Sequence, residues 1–194
     1  MNSFEVPLKV LKLLAGFDKA WFVAGGWAID LFLERVTRTH EDIEIAILRQ
    51  DQLALQSYLT GWKFEKVIPG QKMRREKWNQ QEWLDLPVHE IHARNAASNP
   101  SKLEILLNES SVDEWKFRRN LKITRPFSLI GLRSKDGIPY LNPEIVLLYK
   151  AKGPSHRDEA DFENTVQALD TERKRWLKRA VAVCHPGHRW LEIL

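Results

Sequence analysis

The sequence contains a single cysteine, no long apolar run and no block of like charge. With Cys184 alone no internal disulfide can form, which is typical of the reducing cytosol, so we expect a cytoplasmic protein. No apolar stretch approaches the roughly 20 residues that span a bilayer, and we expect no membrane partner. The 30 basic residues are interspersed with 26 acidic ones, so nucleic acid is not an expected partner. The net charge of +4 remains compatible with a local cationic pocket for a phosphorylated ligand.

The hydrophobic pattern changes along the chain and predicts two regions. Up to residue 141, short alternating or apolar stretches typical of strands are interspersed with helical stretches. Within that region, "SVDE" at residues 111–114 matches a capping box and predicts the start of a helix. From Asn142, with Pro143 at the first helical position, three helical stretches follow. We therefore predict an α+β fold: an α/β domain at 1–141 with a small mixed sheet, and a helical domain at 142–194.

The segment "DIEIAI" at residues 42–47 predicts a strand that carries two acids on one face. Successive side chains of a strand point to opposite faces, so Asp42 and Glu44 lie side by side, away from the isoleucines. The rise of a strand places their Cα atoms about 6.5 to 7 Å apart. Two carboxylates at that distance repel each other unless a cation lies between them, and oxygen ligands at this spacing suit Mg²⁺. A solvated strand face with two ordinary acids is the alternative.

The segment "VAGGWAID" at residues 23–30 predicts a strand, a turn and a helix start. Backbone N–H groups and the positive end of the helix dipole form an anion site there. Without side chains, Gly25 and Gly26 let a phosphate approach the backbone, although on their own they are more typical of a tight turn. Combined with Asp42 and Glu44, they predict a site where one part holds a triphosphate and the other holds the metal that bridges it.

The segment "GGWAIDLFLERVTRTHEDIEIAI" at residues 25–47 resembles the signature of the polymerase-beta-like nucleotidyltransferase superfamily. "GGWAID", "TRTH" and "DIEIAI" are similar to the branch that modifies aminoglycosides and lincosamides, and "LEILLNES", "GIPYLNPEIVLLYKAK" and "HRDEADFE" extend the likeness over most of the chain. The resemblance implies an active site in the cleft between the two domains. It implies transfer of a nucleoside monophosphate, expected to be AMP from ATP, to a hydroxyl of a small acceptor, with release of pyrophosphate.

The resemblance also implies roles for individual residues. Gly25 and Gly26 would contact the nucleotide phosphates, and Asp42 and Glu44 would bind Mg²⁺. Glu44 stands where close relatives usually have aspartate, and its longer side chain changes the metal geometry.

The superfamily has a third carboxylate on a neighbouring strand, and two residues are candidates for it. In "KLEILLN", Glu104 projects away from its apolar neighbours, as Asp42 does, and we favour it. In "VHEIHAR", Glu90 shares a face with His92 and Arg94, which is more typical of an exposed strand. The third acid would bind the metal nearest the attacking hydroxyl or accept the proton of that hydroxyl.

Four further side chains are candidates for contacts around the nucleotide. Arg38 and His40 precede the acidic strand, where each could either point at the substrate or brace the loop. We expect Arg38 to contact the nucleotide and His40 to form a bracing hydrogen bond. Lys150 and Lys152 end a predicted helix, where one of them, Lys150 by preference, is expected to contact a phosphate. Cations in the last helical turn are also favourable partners of the helix dipole.

The acceptor and the assembly stay open. Aminoglycosides are polycations and would favour an acidic cleft, whereas this chain is net basic. Asp158 and Asp161 lie three residues apart on one predicted helix face and are compatible with surface acids or with contacts to a cationic acceptor. A homodimer is compatible with the sequence. The alternative function is a catalytically weak or inactive nucleotide-binding, antitoxin-like protein of the same fold.

Overall fold

The computed structural model describes residues 4–70 and 74–194. Its α-helices are α1 (Glu5–Leu13), α2 (Gly25–Phe32), α3 (Gln52–Tyr58), α4 (Pro143–Lys150), α5 (His156–Val166) and α6 (Thr171–Cys184). Its strands are β1 (Trp21–Val23), β2 (Glu44–Leu48), β3 (Lys63–Val67), β4 (Arg75–Lys77), β5 (Glu90–Arg94), β6 (Lys102–Ser110), β7 (Glu114–Lys116), β8 (Thr124–Pro126), β9 (Gly131–Arg133) and β10 (Pro139–Leu141). No helix in these two ranges is long and apolar enough to cross a bilayer.

The strands form a mixed sheet. Eight of those in the described ranges lie in the order β4-β3-β5-β6-β2-β1-β10-β9, while β7 pairs with the end of β6 and β8 pairs with β7. The β2–β6 and β1–β10 pairs are parallel and the other pairs are antiparallel. The predicted mixed sheet is therefore confirmed, although with ten strands in this part of the chain it is larger than expected.

Strand β2 lies inside the sheet between β6 and β1, and after Glu44 its side chains are buried on both faces, whereas the alternation in the sequence predicts one open face. Ile43, Ile45 and Ile47 are buried, and each such side chain contributes about 1.5 to 3 kcal/mol relative to an exposed one. The strand begins at Glu44, so Asp42 lies in the preceding loop rather than in the strand. The loop before β2 and the first strand residue thus carry the two predicted acids.

The helical stretches after residue 141 are confirmed as α4, α5 and α6. Asn142 is the N-cap of α4, which is apolar on most sides and packs against α2, α5 and α6. The predicted domain boundary falls between β10 and α4, and the division into two domains stays a prediction.

The helix predicted at residues 111–114 is wrong. Strand β7 begins at Glu114, and the N–H of Ser111 donates to the carbonyl of Glu114 at 2.8 Å. The reason is tertiary: the indole of the buried Trp115 donates to Asn108 Oδ1 at 2.9 Å, which holds the segment beside β6. The local capping pattern is overridden by this pairing.

Candidate active site

Gly25 begins α2 in a backbone conformation that favours glycine. Its φ of +59° lies in the left-handed region. A Cβ at this position would overlap the carboxylate of Glu44, which lies directly against the Gly25 backbone. The N–H of Ala24 donates to the backbone carbonyl of Glu44 at 2.9 Å. The start of α2 and the first residue of β2 are therefore in contact.

The loop that precedes β2 is fastened to the first turns of α2. A Cβ on Gly26 would overlap the guanidinium of Arg38 and lie 2.6 Å from His40 Cε1. The fully buried Asp30 accepts hydrogen bonds from the N–H of Thr37 (3.1 Å) and its hydroxyl (2.6 Å), and its Oδ2 lies 2.5 Å from His40 Nε2. The bracing hydrogen bond expected for His40 is confirmed. The second glycine makes room for this loop.

The three predicted acids lie at one edge of the sheet. Glu44 and Glu104 are direct partners in the parallel β2–β6 pair, and Asp42 lies two residues before Glu44. Burial raises the pKa of Glu104 to about 7, with the charge of His92 opposing and the charges of Glu44 and Asp42 adding to the increase. Burial also raises the pKa of Glu44, against the charge of Lys150. The carboxyl groups therefore lie close enough to destabilise each other's charged forms.

Glu90 and His92 join the same edge. In the antiparallel β5–β6 pair His92 is the partner of Glu104, and His92 Nδ1 lies 3.4 Å from Glu104 Oε1. His92 Nε2 lies 2.8 Å from Glu90 Oε1. We call Asp42, Glu44, Glu90 and Glu104 the carboxylate cluster. Glu90 and Glu104, the two alternatives for a third acid, thus lie in one group linked through His92.

Sequence reasoning missed His92 as part of this group. The alternation of β5 correctly places Glu90 and His92 on one face, and that signal is present in "VHEIHAR". The pairing of β5 with β6, and its register, bring that face beside Glu104. Register depends on long-range contacts, so the local pattern alone does not identify the neighbour.

The donor set of the cluster fits a divalent cation. Carboxylates that raise each other's pKa are stabilised by a cation between them. The oxygen ligands of Asp42, Glu44 and Glu104 are those that Mg²⁺ prefers. Glu90, His92 and Glu104 offer a second set, with ligand atoms within 4.8 Å of one another, and its imidazole nitrogen is better suited to a transition metal.

The cations predicted to contact the nucleotide lie in ion pairs with α5. Arg38 donates two hydrogen bonds to Asp161, from Nε at 3.2 Å and from Nη2 at 3.1 Å. Lys150 Nζ lies 2.5 Å from Asp158 Oδ1 and 3.0 Å from Asp161 Oδ2. Burial alone would lower the pKa of Lys150, but its bonds to these two acids raise it. We call these four residues the ion-pair cluster; a role for Arg38 or Lys150 in nucleotide binding stays a prediction.

A cavity of about 360 Å³ opens beside the carboxylate cluster. Gly25 and Glu44 line one side, and Tyr149, Lys150, Arg118 and Arg119 are among the residues that line the rest. A larger cavity of about 730 Å³ lies between α3 and the β3–β4 strands and contains none of the predicted site residues. The 360 Å³ cavity therefore belongs to the site through Gly25 and Glu44, and a further cavity of about 120 Å³ is lined by Asp42, His92 and Glu104 among others.

The chain is similar to known antibiotic-modifying proteins. A family model described as aminoglycoside-2''-adenylyltransferase matches residues 7–164. The solution structure of the antibiotic-resistance factor ANT(2'')-Ia has a TM-score of 0.61 at 18% identity, covering 100% of this chain and 97% of that one. The crystal structure of ANT(2'')-Ia with adenylyl-2''-tobramycin has a TM-score of 0.60 at 16% identity, with 91% and 95% covered.

A third similar structure is the lincomycin-bound lincosamide antibiotic adenylyltransferase LnuA, with a TM-score of 0.56 at 20% identity, covering 84% of this chain and 97% of that one. No curated protein sequence matches the chain. The family model and the similar structures confirm the resemblance to the aminoglycoside and lincosamide branch and the predicted fold class.

Proposed function

Because the chain belongs to the aminoglycoside-2''-adenylyltransferase family, we propose that it is a metal-dependent nucleotidyltransferase. It transfers a nucleoside monophosphate, AMP from ATP, to a hydroxyl of a small acceptor and releases pyrophosphate. The proposed acceptor is an aminoglycoside, which the family description names, or a lincosamide, which the similar structure LnuA binds.

One observation carries this proposal: the carboxylate of Glu44 lies against the backbone of Gly25 and beside its strand partner Glu104. A phosphate held at the start of α2 is therefore adjacent to the acids that would hold a metal. Nucleotidyl transfer requires this adjacency, because the reaction depends on aligning the phosphate and neutralising its developing charge.

Each residue of the site has a separate role in this reaction. Asp42 and Glu44 would hold Mg²⁺, which neutralises the charge that develops on the phosphates. N–H groups at the start of α2 would bind phosphate oxygens, since Gly25 carries no side chain there. The acceptor oxygen bonds to the α-phosphorus as the bond from that phosphorus to the leaving pyrophosphate breaks. Glu104 either takes the proton of the acceptor hydroxyl or helps to hold the metal nearest that hydroxyl.

The substitution Asp42→Asn tests the assignment with little risk to the fold, because Asp42 is exposed and lies before β2. We expect AMP transfer to fall by more than about 100-fold, as for the loss of a metal ligand. The readouts are pyrophosphate release with ATP and Mg²⁺ and the mass of the modified acceptor. Asp113→Asn, an equally exposed acid before β7, is the matched control and is expected to keep full activity. Full activity of Asp42→Asn would overturn the site.

The acceptor class is tested with a panel of aminoglycosides and lincosamides and mass spectrometry for an added AMP. Calorimetry with ATP and Mg²⁺ is run beside it. If the protein binds ATP but modifies no acceptor and releases no pyrophosphate, the result would favour the inactive nucleotide-binding alternative.

A further inference from the structure

The positive charges predicted to receive the triphosphate are already neutralised by the protein. Lys150 contacts both Asp158 and Asp161, and Arg38 forms a two-point ion pair with Asp161. The side chain of Asp161 is 1% exposed and lies between these two cations. A nucleoside triphosphate brings about four negative charges, and it therefore needs cations beyond these two.

Arg118 and Arg119 follow β7 and line the same cavity as Gly25, Glu44 and Lys150. Within residues 4–70 and 74–194, no carboxylate lies within ion-pair distance, 4.0 Å, of either guanidinium. The Arg118 guanidinium lies 5.4 Å from the centre of the Tyr149 ring, and that of Arg119 lies at the same distance. Arg119 Nη1 also donates to the backbone carbonyl of Tyr149 at 2.7 Å.

These contacts orient the two guanidinium groups and leave most of their donors free. A guanidinium has five N–H donors, of which Arg119 uses one for Tyr149 and Arg118 uses none for any other side chain or carbonyl of the described residues. Stacking on an aromatic ring holds the group in place without consuming those donors.

The surroundings also disfavour leaving these charges without a counterion. Burial lowers the pKa of Arg118 and of Arg119, and in each case the effect is larger than any single nearby charge. Glu90 is the carboxylate that acts on Arg118 from beyond ion-pair distance. Partly desolvated guanidinium groups bind oxyanions with short, charge-assisted hydrogen bonds, which are about twice as strong as neutral ones.

We propose that Arg118 and Arg119 bind the β- and γ-phosphates of the nucleoside triphosphate, and so form the pyrophosphate-binding side of the cavity. This assignment rests on the proposed function, since it gives the leaving pyrophosphate its position. Lys152, which lines the same cavity, adds a third cation without an ion pair among the described residues. The triphosphate then lies between Gly25 and the Arg118–Arg119 pair, with its α-phosphate beside Glu44.

Inorganic pyrophosphate with Mg²⁺ is the direct probe, because it is independent of which nucleobase the protein accepts. We expect calorimetry to show pyrophosphate binding by the unmodified protein. Arg118→Ala and Arg119→Ala should each weaken it by about 10-fold, and the double variant should weaken it further. Arg118→Lys keeps the charge but loses the planar fork, and we expect an intermediate affinity. Arg179→Ala, an exposed arginine on α6, is the control for lost positive charge and should bind as the unmodified protein does.

ATP and AMP identify which phosphates are contacted. The double variant should bind ATP at least 10-fold more weakly while its affinity for AMP is unchanged. Equal losses for ATP and AMP, or no loss for pyrophosphate, would overturn the assignment. Circular dichroism verifies that each variant is folded before these comparisons are made.

The result separates this assignment from the proposed function. If the unmodified protein transfers AMP and the double variant binds pyrophosphate normally, the assignment alone fails. If pyrophosphate binding depends on the two arginines but no acceptor is modified, the function fails and the anion site stands. If the unmodified protein binds neither pyrophosphate nor ATP, both are overturned.

Discussion

The carboxylate cluster and the ion-pair cluster both contact the start of α2, Glu44 at Gly25 and Arg38 at Gly26, and they hold their charges in opposite ways. Glu44 and Glu104 are partly buried acids whose pKa values are raised first by burial and further by neighbouring carboxylates. Asp161 is an even more deeply buried acid, but it is held between Arg38 and Lys150. The first cluster gathers several negative charges, whereas the second pairs each negative charge with a positive one.

This difference indicates which of the two clusters binds a ligand. A buried charge without a partner destabilises the folded chain, so a protein that keeps several of them together has a use for them. A buried charge that is paired within the chain stabilises the position of the helix that carries it. The carboxylate cluster is therefore the better candidate for chemistry, and the ion-pair cluster the better candidate for structure. Substitutions in either cluster therefore test this difference.

The largest effect on stability is expected from Asp161→Asn. Removing the shared acid leaves Arg38 without its counterion and Lys150 with Asp158 alone, and breaking a buried ion pair costs about 3 kcal/mol or more. Chemical denaturation at pH 7 measures the free energy of unfolding. The control is Glu41→Gln, which breaks the exposed ion pair with Arg157 and should change stability by less than about 1 kcal/mol. Equal effects of the two substitutions would show that the ion-pair cluster is not structural.

A smaller loss of stability, with a large loss of activity, is expected from Gly25→Ala. An alanine at a φ of +59° costs about 1 to 2 kcal/mol, and its Cβ must also displace the carboxylate of Glu44. A displacement of this kind at the site should reduce AMP transfer by about 100-fold. Gly137→Ala is the matched control, because Gly137 has a φ of +80° but nothing within 4 Å of an added Cβ. The Gly137→Ala variant should lose a similar amount of stability but keep its AMP-transfer activity. A fully active Gly25→Ala variant would contradict the contact between Gly25 and Glu44.

The parts of the site that sequence alone predicts are those close together in the chain. Gly25, Gly26 and Glu44 lie within one strand, helix and strand unit, whose periodicity and glycine pair are visible in "GGWAID" and "DIEIAI". The structure places Gly25 in contact with Glu44, while Gly26 lies against Arg38 and His40. Their order along the chain determines their arrangement, because a short connection limits where the second strand can lie.

The rest depends on which distant strands and helices become neighbours. The register of β5 on β6 brings His92 to Glu104, and the packing of α5 brings Asp161 to Arg38, 123 residues away in sequence. A local motif can also mislead: "SVDE" resembles a capping box, whereas the capping box that forms is at Ser155 and Asp158. Both segments satisfy the pattern, and only tertiary packing distinguishes them.

The smallest effect, and the one opposite in sign, is expected from Glu104→Gln. The pKa of Glu104 is about 7 in the folded chain, above its usual value of 4.5, so the folded state holds the proton more tightly than the unfolded state. The free energy of unfolding therefore falls as pH rises from about 4.5 to 7, and above pH 7 the whole destabilising effect of the charged carboxylate is present. Glutamine removes this charge. Because the side chain is partly solvated, we expect a gain of about 1 kcal/mol at pH 8 rather than the full value of the shift.

The measurement is thermal unfolding in the presence of a chelator at pH 8 and at pH 4. At pH 4 the carboxyl is largely protonated in both states, so the gain should fall close to zero, while AMP transfer by the variant should be lost at every pH. Asp161→Asn is expected to lose stability under the same conditions at pH 8. Removing the charge of Asp161 and removing that of Glu104 therefore change the stability in opposite directions. A Glu104→Gln variant that is less stable than the unmodified protein at pH 8 would mean that Glu104 is paired like Asp161, and the distinction between the two clusters would not hold.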